Sequence, residues 1–116
     1  MIQPTASFSE NLQLLPSIEG ISRIDLINPA GEAVAEIENV PGKQGSLVVY
    51  HYLEQCFHYL EQCFGKVDAV AAAHGLEVFA EHTLDAKNRH GAHPNIDRLF
   101  EIVGGTVPLS IRIIEA

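Results

Sequence analysis

His82, His90, His93 and Asp97, whose side chains are able to ligate a metal, fall within sixteen residues. Imidazole and carboxylate suit zinc and other divalent transition metals, and three such ligands plus a water form an open site of the catalytic type. On that reading His82, His93 and Asp97 converge on one pocket, with His90 as an optional fourth ligand. A metal held there lowers the pKa of its water and makes hydroxide available for hydrolysis. Closing a loop of about ten residues to bring these groups together costs little entropy. The competing reading gives each side chain a separate surface or capping role, Asp97 being favoured near a helix N-terminus. Neither His-Glu-x-x-His nor Cys-x-x-Cys is present.

Other reactive groups have simpler readings. Glu54 and His58 are four apart and suit a solvated helix face with i,i+4 pairs. Cys56 and Cys63 can be drawn as nucleophiles with a histidine partner, but they fall on an apolar stripe, which suits core packing. No Gly-x-Ser-x-Gly elbow occurs. Gly42 and Lys43 precede a helix, where a phosphate can bind. The Gly-x-x-x-x-Gly-Lys-Ser/Thr spacing is absent, so residues 40–45 read as a plain connection.

The elements that position these groups follow from periodicity. The chain is organised around residues 46–65, which hold His-Tyr-Leu-Glu-Gln-Cys-Phe twice in direct succession. Seven residues are two helical turns less about 20°, so a copied heptad keeps its faces. Leu53, Phe57, Leu60 and Phe64 then form one apolar stripe, with His51, Glu54, Gln55, His58, Glu61 and Gln62 opposite. The spacing predicts one helix over 47–64, about 27 Å long, capped by Ser46 and ended by Gly65. Two cysteines seven residues apart on a helix stand about 10.5 Å apart, beyond disulfide reach. Free buried thiols fit a reducing cytoplasm.

Before it, residues 9–15 suit a short helix stopped by Pro16. Residues 22–28 and 32–38 alternate around Asn-Pro-Ala-Gly and predict a hairpin. After it come a helix over 66–74 ended by Gly75, a strand over 76–80, and a helical turn over 83–87. A helix beginning at Pro94 and a strand over 107–114 complete the chain. The expected architecture is α+β: a four-stranded, mostly antiparallel or mixed sheet with helices on one face. The expected order is β-β-α-α-β-α-β after a short N-terminal helix. Ile27, Val34 and Phe79 then fall on the nominally solvated sheet face, which together with the long helix points to a homodimer.

Length and charge bound the function. A chain of 116 residues is one domain, 1–116, large enough for a core without staples. A net charge of −8, with 7 Lys and Arg, argues against nucleic acid and anionic membranes as partners. No apolar run approaches a membrane span, and Met-Ile-Gln-Pro-Thr lacks the regions of a signal peptide. The expected location is the cytoplasm.

Three stretches carry a resemblance: Pro-Gly-Lys-Gln-Gly-Ser-Leu (41–47), Phe-Ala-Glu-His-Thr (79–83) and His-Pro-Asn-Ile-Asp-Arg-Leu (93–99). They resemble a family of small bacterial proteins known only as a conserved domain of unknown function. The resemblance covers most of the chain from Leu12 onward and implies a bacterial cytoplasmic protein with no established activity. The heptad doubling departs from that family's pattern, in which the unit is expected once, and points to a recent or engineered duplication. Two functional classes follow. One is a non-enzymatic binding or interaction module. The alternative is a metal-binding protein or metal-dependent hydrolase using His82, His93 and Asp97, with a divalent transition metal such as zinc.

Overall fold

Asn28 closes the first hairpin. Its side-chain oxygen accepts from the N–H of Ala30 at 3.1 Å and of Glu32 at 2.9 Å. Gly31 takes the left-handed φ of +88° that the turn needs. The strands so joined are β1 (Ile21–Ile27) and β2 (Ala33–Glu38). The computed structural model describes residues 2–59 and 66–116. Its sheet has the order β2-β1-β4-β3, all pairs antiparallel, with β3 at Lys66–Val67 and β4 at Leu109–Glu115. With five helices among the described residues, α1 (Phe8–Gln13) being the first, the fold is α+β.

β1 runs through the middle of the sheet, so both its neighbours report the inward face. Ile24 stands between Ile37 and Ile113, and Leu26 between Ala35 and Ile111. The opposite face holds Arg23, Asp25, Glu36 and Arg112. Asp25 is only 4% exposed there, because Arg23 donates to it at 2.9 Å and Arg112 at 3.1 Å. Arg23 foremost, with Arg112, holds the Asp25 carboxyl below its ordinary range despite its burial.

The third strand does not lie over residues 76–80. It is the two-residue β3, and the Ala-rich segment after it forms α3 (Ala69–Val78), capped by the Asp68 carboxylate on the N–H of Ala71. Gly75 does not end this helix. A Cβ there would stand 2.9 Å from Leu53 Cδ1 and 3.0 Å from Leu99 Cδ1, so its missing side chain serves helix packing. Phe79 follows at the C-cap and is 2% exposed, stacked on Phe8. It is therefore core, not a member of the outer sheet face. Of the other two residues placed there, Ile27 is half-buried and Val34 is exposed.

The central helix, α2 (Gln44–Tyr59), starts three residues before the expected position, so Ser46 lies in its first turn rather than at its cap. It continues without a break into the second heptad as far as Tyr59. Its continuation to Phe64, the core placement of Cys63 and the Gly65 terminus lie outside the described residues, as do the side chains of 55–59. α2 touches all four strands, α1 and α3. Enclosure on several sides explains why Leu47, Val49, Tyr50 and Leu53 are fully buried and why His51, expected on a polar face, is 5% exposed. Among the described residues no helix is long and apolar enough to cross a membrane.

Burial of two imidazoles has a measurable consequence. Desolvation pushes the pKa of His51 and of His74 down, against the smaller opposing pull of Glu54 and Glu77. His74 Nε2 lies 2.8 Å from the Tyr52 hydroxyl, which also accepts the N–H of Ile2 at 3.0 Å. The unfolded chain takes up these protons at a pH near 6.5, earlier than the fold does. Stability is thus fully present above that value and falls as the pH drops below it. Urea midpoints should decline between pH 7.5 and 5, and a His51→Gln/His74→Gln variant should lose much of that slope.

Candidate functional site

Three chain segments far apart in sequence close one cleft of about 350 Å³. The turn into α2 and its first residues supply Gly42, Lys43, Gly45 and Ser46; the junction of α3 with α4 (Glu81–Asn88) supplies Phe79 and His82; the start of α5 (Pro94–Val103) supplies His93, Pro94, Asn95 and Ile96. These are the stretches 41–47, 79–83 and 93–99 singled out in the sequence. Phe8 of α1 forms a further wall.

Each segment is placed by a local device. Gly42 takes φ +89° to turn the chain into α2. Gly45 leaves room for Phe8, whose ring carbons would lie 3.2 and 3.3 Å from an added Cβ. The junction of α3 with α4 (Glu81–Asn88) passes through Ala80 at φ 52° and ψ −119°, a conformation few L residues adopt. The turn is held by Thr83, whose hydroxyl donates to the Leu76 carbonyl at 2.5 Å, and it sets His82 in the first turn of α4. Glu81 accepts the Phe8 N–H at 2.7 Å and so ties α1 to the same junction. His93 is the N-cap residue of α5 (Pro94–Val103). The buried Tyr50 hydroxyl donates to the Asn95 carbonyl at 2.5 Å, and burial pushes its pKa up to about 12.

The two histidines of the cleft are neighbours. Their ring centroids are 5.7 Å apart with planes tilted by 49°. His82 also meets the Phe8 ring edge-on at 4.9 Å. His93 Nε2 lies 2.6 Å from Asp85 Oδ2, and Asp85 forms a fork with Arg89. Arg89 first and His93 second hold the Asp85 carboxyl well below the usual carboxylate range. An ionised carboxylate only accepts, so in this pair Nε2 of His93 is the donor and Nδ1 is left as its other ring nitrogen. Opposite, Lys43 stands 3.7 Å from Glu38, an exposed pair that holds the ammonium weakly.

Of the four sequence candidates, the fold brings His82 and His93 together. Asp97 accepts the Gly91 N–H at 3.1 Å, closing the 89–93 loop. With His90 it lines a second hollow of about 340 Å³ beside Lys87 and Phe100. Among the described residues no group of three or more His, Cys, Asp or Glu side chains is placed to share an ion. The cleft also draws on residues that sequence reasoning passed over. The Asp85–Arg89 spacing of four is a readable helical pair, but nothing in the order of residues links Asp85 to His93 across the loop. Phe8 reads only as an apolar residue beside a short helix.

A family model described as "Uncharacterized protein conserved in bacteria (DUF2322)" matches residues 8–113, which include Phe8 and every other residue of the cleft. No curated protein and no solved structure matches the chain.

Proposed function

Because the chain belongs to this family of uncharacterised proteins conserved in bacteria, we propose its function from the cleft itself: it is a binding module for a small acidic ligand with an apolar body. One observation carries this reading. Residues distant in the chain, Lys43 and Ser46, Phe79 and His82, and His93 to Ile96, line a single concavity. A cleft of this volume suits a small molecule. Its polar side offers the Lys43 ammonium, the Ser46 hydroxyl and the first turn of a sixteen-residue helix, whose leading N–H groups have no partner within the helix. Its apolar side offers Phe8, Phe79, Pro94 and Ile96.

The test is amide chemical-shift mapping of protein stripped with a chelator, titrated with inorganic phosphate, citrate and adenosine monophosphate. At least one should shift the amides of 42–46, 82 and 93 together and saturably. Lys43→Glu should weaken that binding by tenfold or more, since it reverses the charge facing the anion. Shifts scattered over the surface, or none at 10 mM of all three probes, would refute the reading.

A further inference from the structure

We propose that the cleft also carries a divalent transition-metal site made by His82 and His93, with Asp85 holding His93 from behind. This goes beyond the acid-ligand reading and does not rest on it, because the metal alone is the probe.

Two imidazoles bound to one tetrahedral ion at Zn–N distances of about 2.0–2.1 Å place their ring centroids roughly 5–6 Å apart. The observed separation is 5.7 Å. The second support is the carboxylate behind one ring. Histidines that ligate metals nearly always give their other N–H to a carboxylate, carbonyl or water, which fixes the tautomer and the ring plane. His93 does so to Asp85 at 2.6 Å, and Asp85 is anchored in turn by Arg89. That leaves Nδ1 of His93 as the ligating nitrogen. The third is confinement: both rings line the cleft, and His93 side-chain exposure is only 26%.

The ligand set differs from the one composition suggests. Asp97 is engaged with the Gly91 N–H, and His90 borders the other hollow. With two protein nitrogens the remaining coordination positions fall to water or to a ligand's acidic group. Such a site is weaker than a closed structural zinc site, and micromolar affinity is expected.

Untagged, chelator-stripped protein titrated calorimetrically with Zn²⁺, in buffer free of phosphate and citrate, should bind one ion per chain at low micromolar Kd. His82→Ala and His93→Ala should each weaken binding by thirtyfold or more. Asp85→Asn should weaken it by about tenfold, within the range of lost outer-shell partners. His90→Ala should leave it unchanged. Unmodified protein offers a readout independent of variant folding: paramagnetic Co²⁺ should shift the ring protons of His82 and His93 and spare those of His90. Binding weaker than about 100 µM, affinity that follows His90, or Co²⁺ shifts centred on His90 would each overturn the site. Phosphate mapping of stripped protein is unaffected by any of these outcomes, so the two readings fail separately.

Discussion

Truncating Leu53 to alanine is expected to lower the unfolding free energy by about 3 kcal/mol, within the 2–5 kcal/mol range of buried Leu→Ala changes. Leu53 is fully buried on α2, and its Cδ1 reaches the point on α3 where Gly75 has no side chain. The contact makes a paired experiment decisive. Gly75→Ala alone sets a new Cβ 2.9 Å from Leu53 Cδ1 and 3.0 Å from Leu99 Cδ1. Overpacking of that kind costs about 1–3 kcal/mol, against a gain of about 1 kcal/mol in helix propensity. A net loss of about 1 kcal/mol is therefore expected. In the Leu53→Ala background the nearer clash is gone and the added methyl enters the vacated space. The double variant should then be more stable than Leu53→Ala alone by about 1 kcal/mol, so that the same substitution changes sign between backgrounds. Urea denaturation of the four proteins measures this. Strict additivity would show that Leu53 and Gly75 do not share the contact.

Replacing Asn11 with alanine is expected to cost about 2–3 kcal/mol and to loosen the wall of the cleft. Asn11 is a fully buried polar side chain in α1. Its amide donates to the Val78 carbonyl at 2.9 Å and to the Thr5 carbonyl at 3.1 Å, and its oxygen accepts the Thr5 N–H at 2.8 Å. Alanine strands the buried Val78 carbonyl, at a cost of about 1–3 kcal/mol, while the Thr5 groups lose bonds that water can partly replace. The same side chain joins α1 to the end of α3, and α1 presents Phe8 to Phe79 and His82. Hydrogen exchange should therefore speed up across residues 5–13 more than in the sheet, and fluorescence quenching or ¹⁹F labelling at Phe8 should report a more open ring. An Asn11→Ala protein within 0.5 kcal/mol of the parent, with α1 protection unchanged, would deny Asn11 this role.

Local features were legible because their cause is local. Asn28 and Gly31 close a turn by bonds within five residues, and alternation through Ile24, Leu26, Ile111 and Ile113 reads directly as a strand face. Pro94 with Ile96, Leu99, Phe100 and Val103 at helical spacing reads as the helix that forms, although Val103 is exposed there and Ile102 takes the buried place instead. The alternation at Leu76, Val78 and Ala80 misleads, because Gly75 reads as a helix stop until Leu53 and Leu99 are seen pressing on it. His51 looks like a solvated side chain on a single helix, but α2 is enclosed by strands and helices together.

The chain order by itself determined the α+β class, the hairpin, the helix that begins at Pro94 and the acidic balance. It also marked His82, His90, His93 and Asp97 as candidate ligands. Only the tertiary structure decided that Lys43, His82 and His93 share one cavity with Phe8, that Asp97 turns away to Gly91, and that Asp85 stands behind His93. The reason is the range of the forces involved. Turns, caps and periodicity act over a few residues and are written in neighbouring letters. Packing of α1, α3 and α5 around α2 joins residues tens of positions apart, and burial, close approach and ring-to-ring distance exist only once that packing has formed.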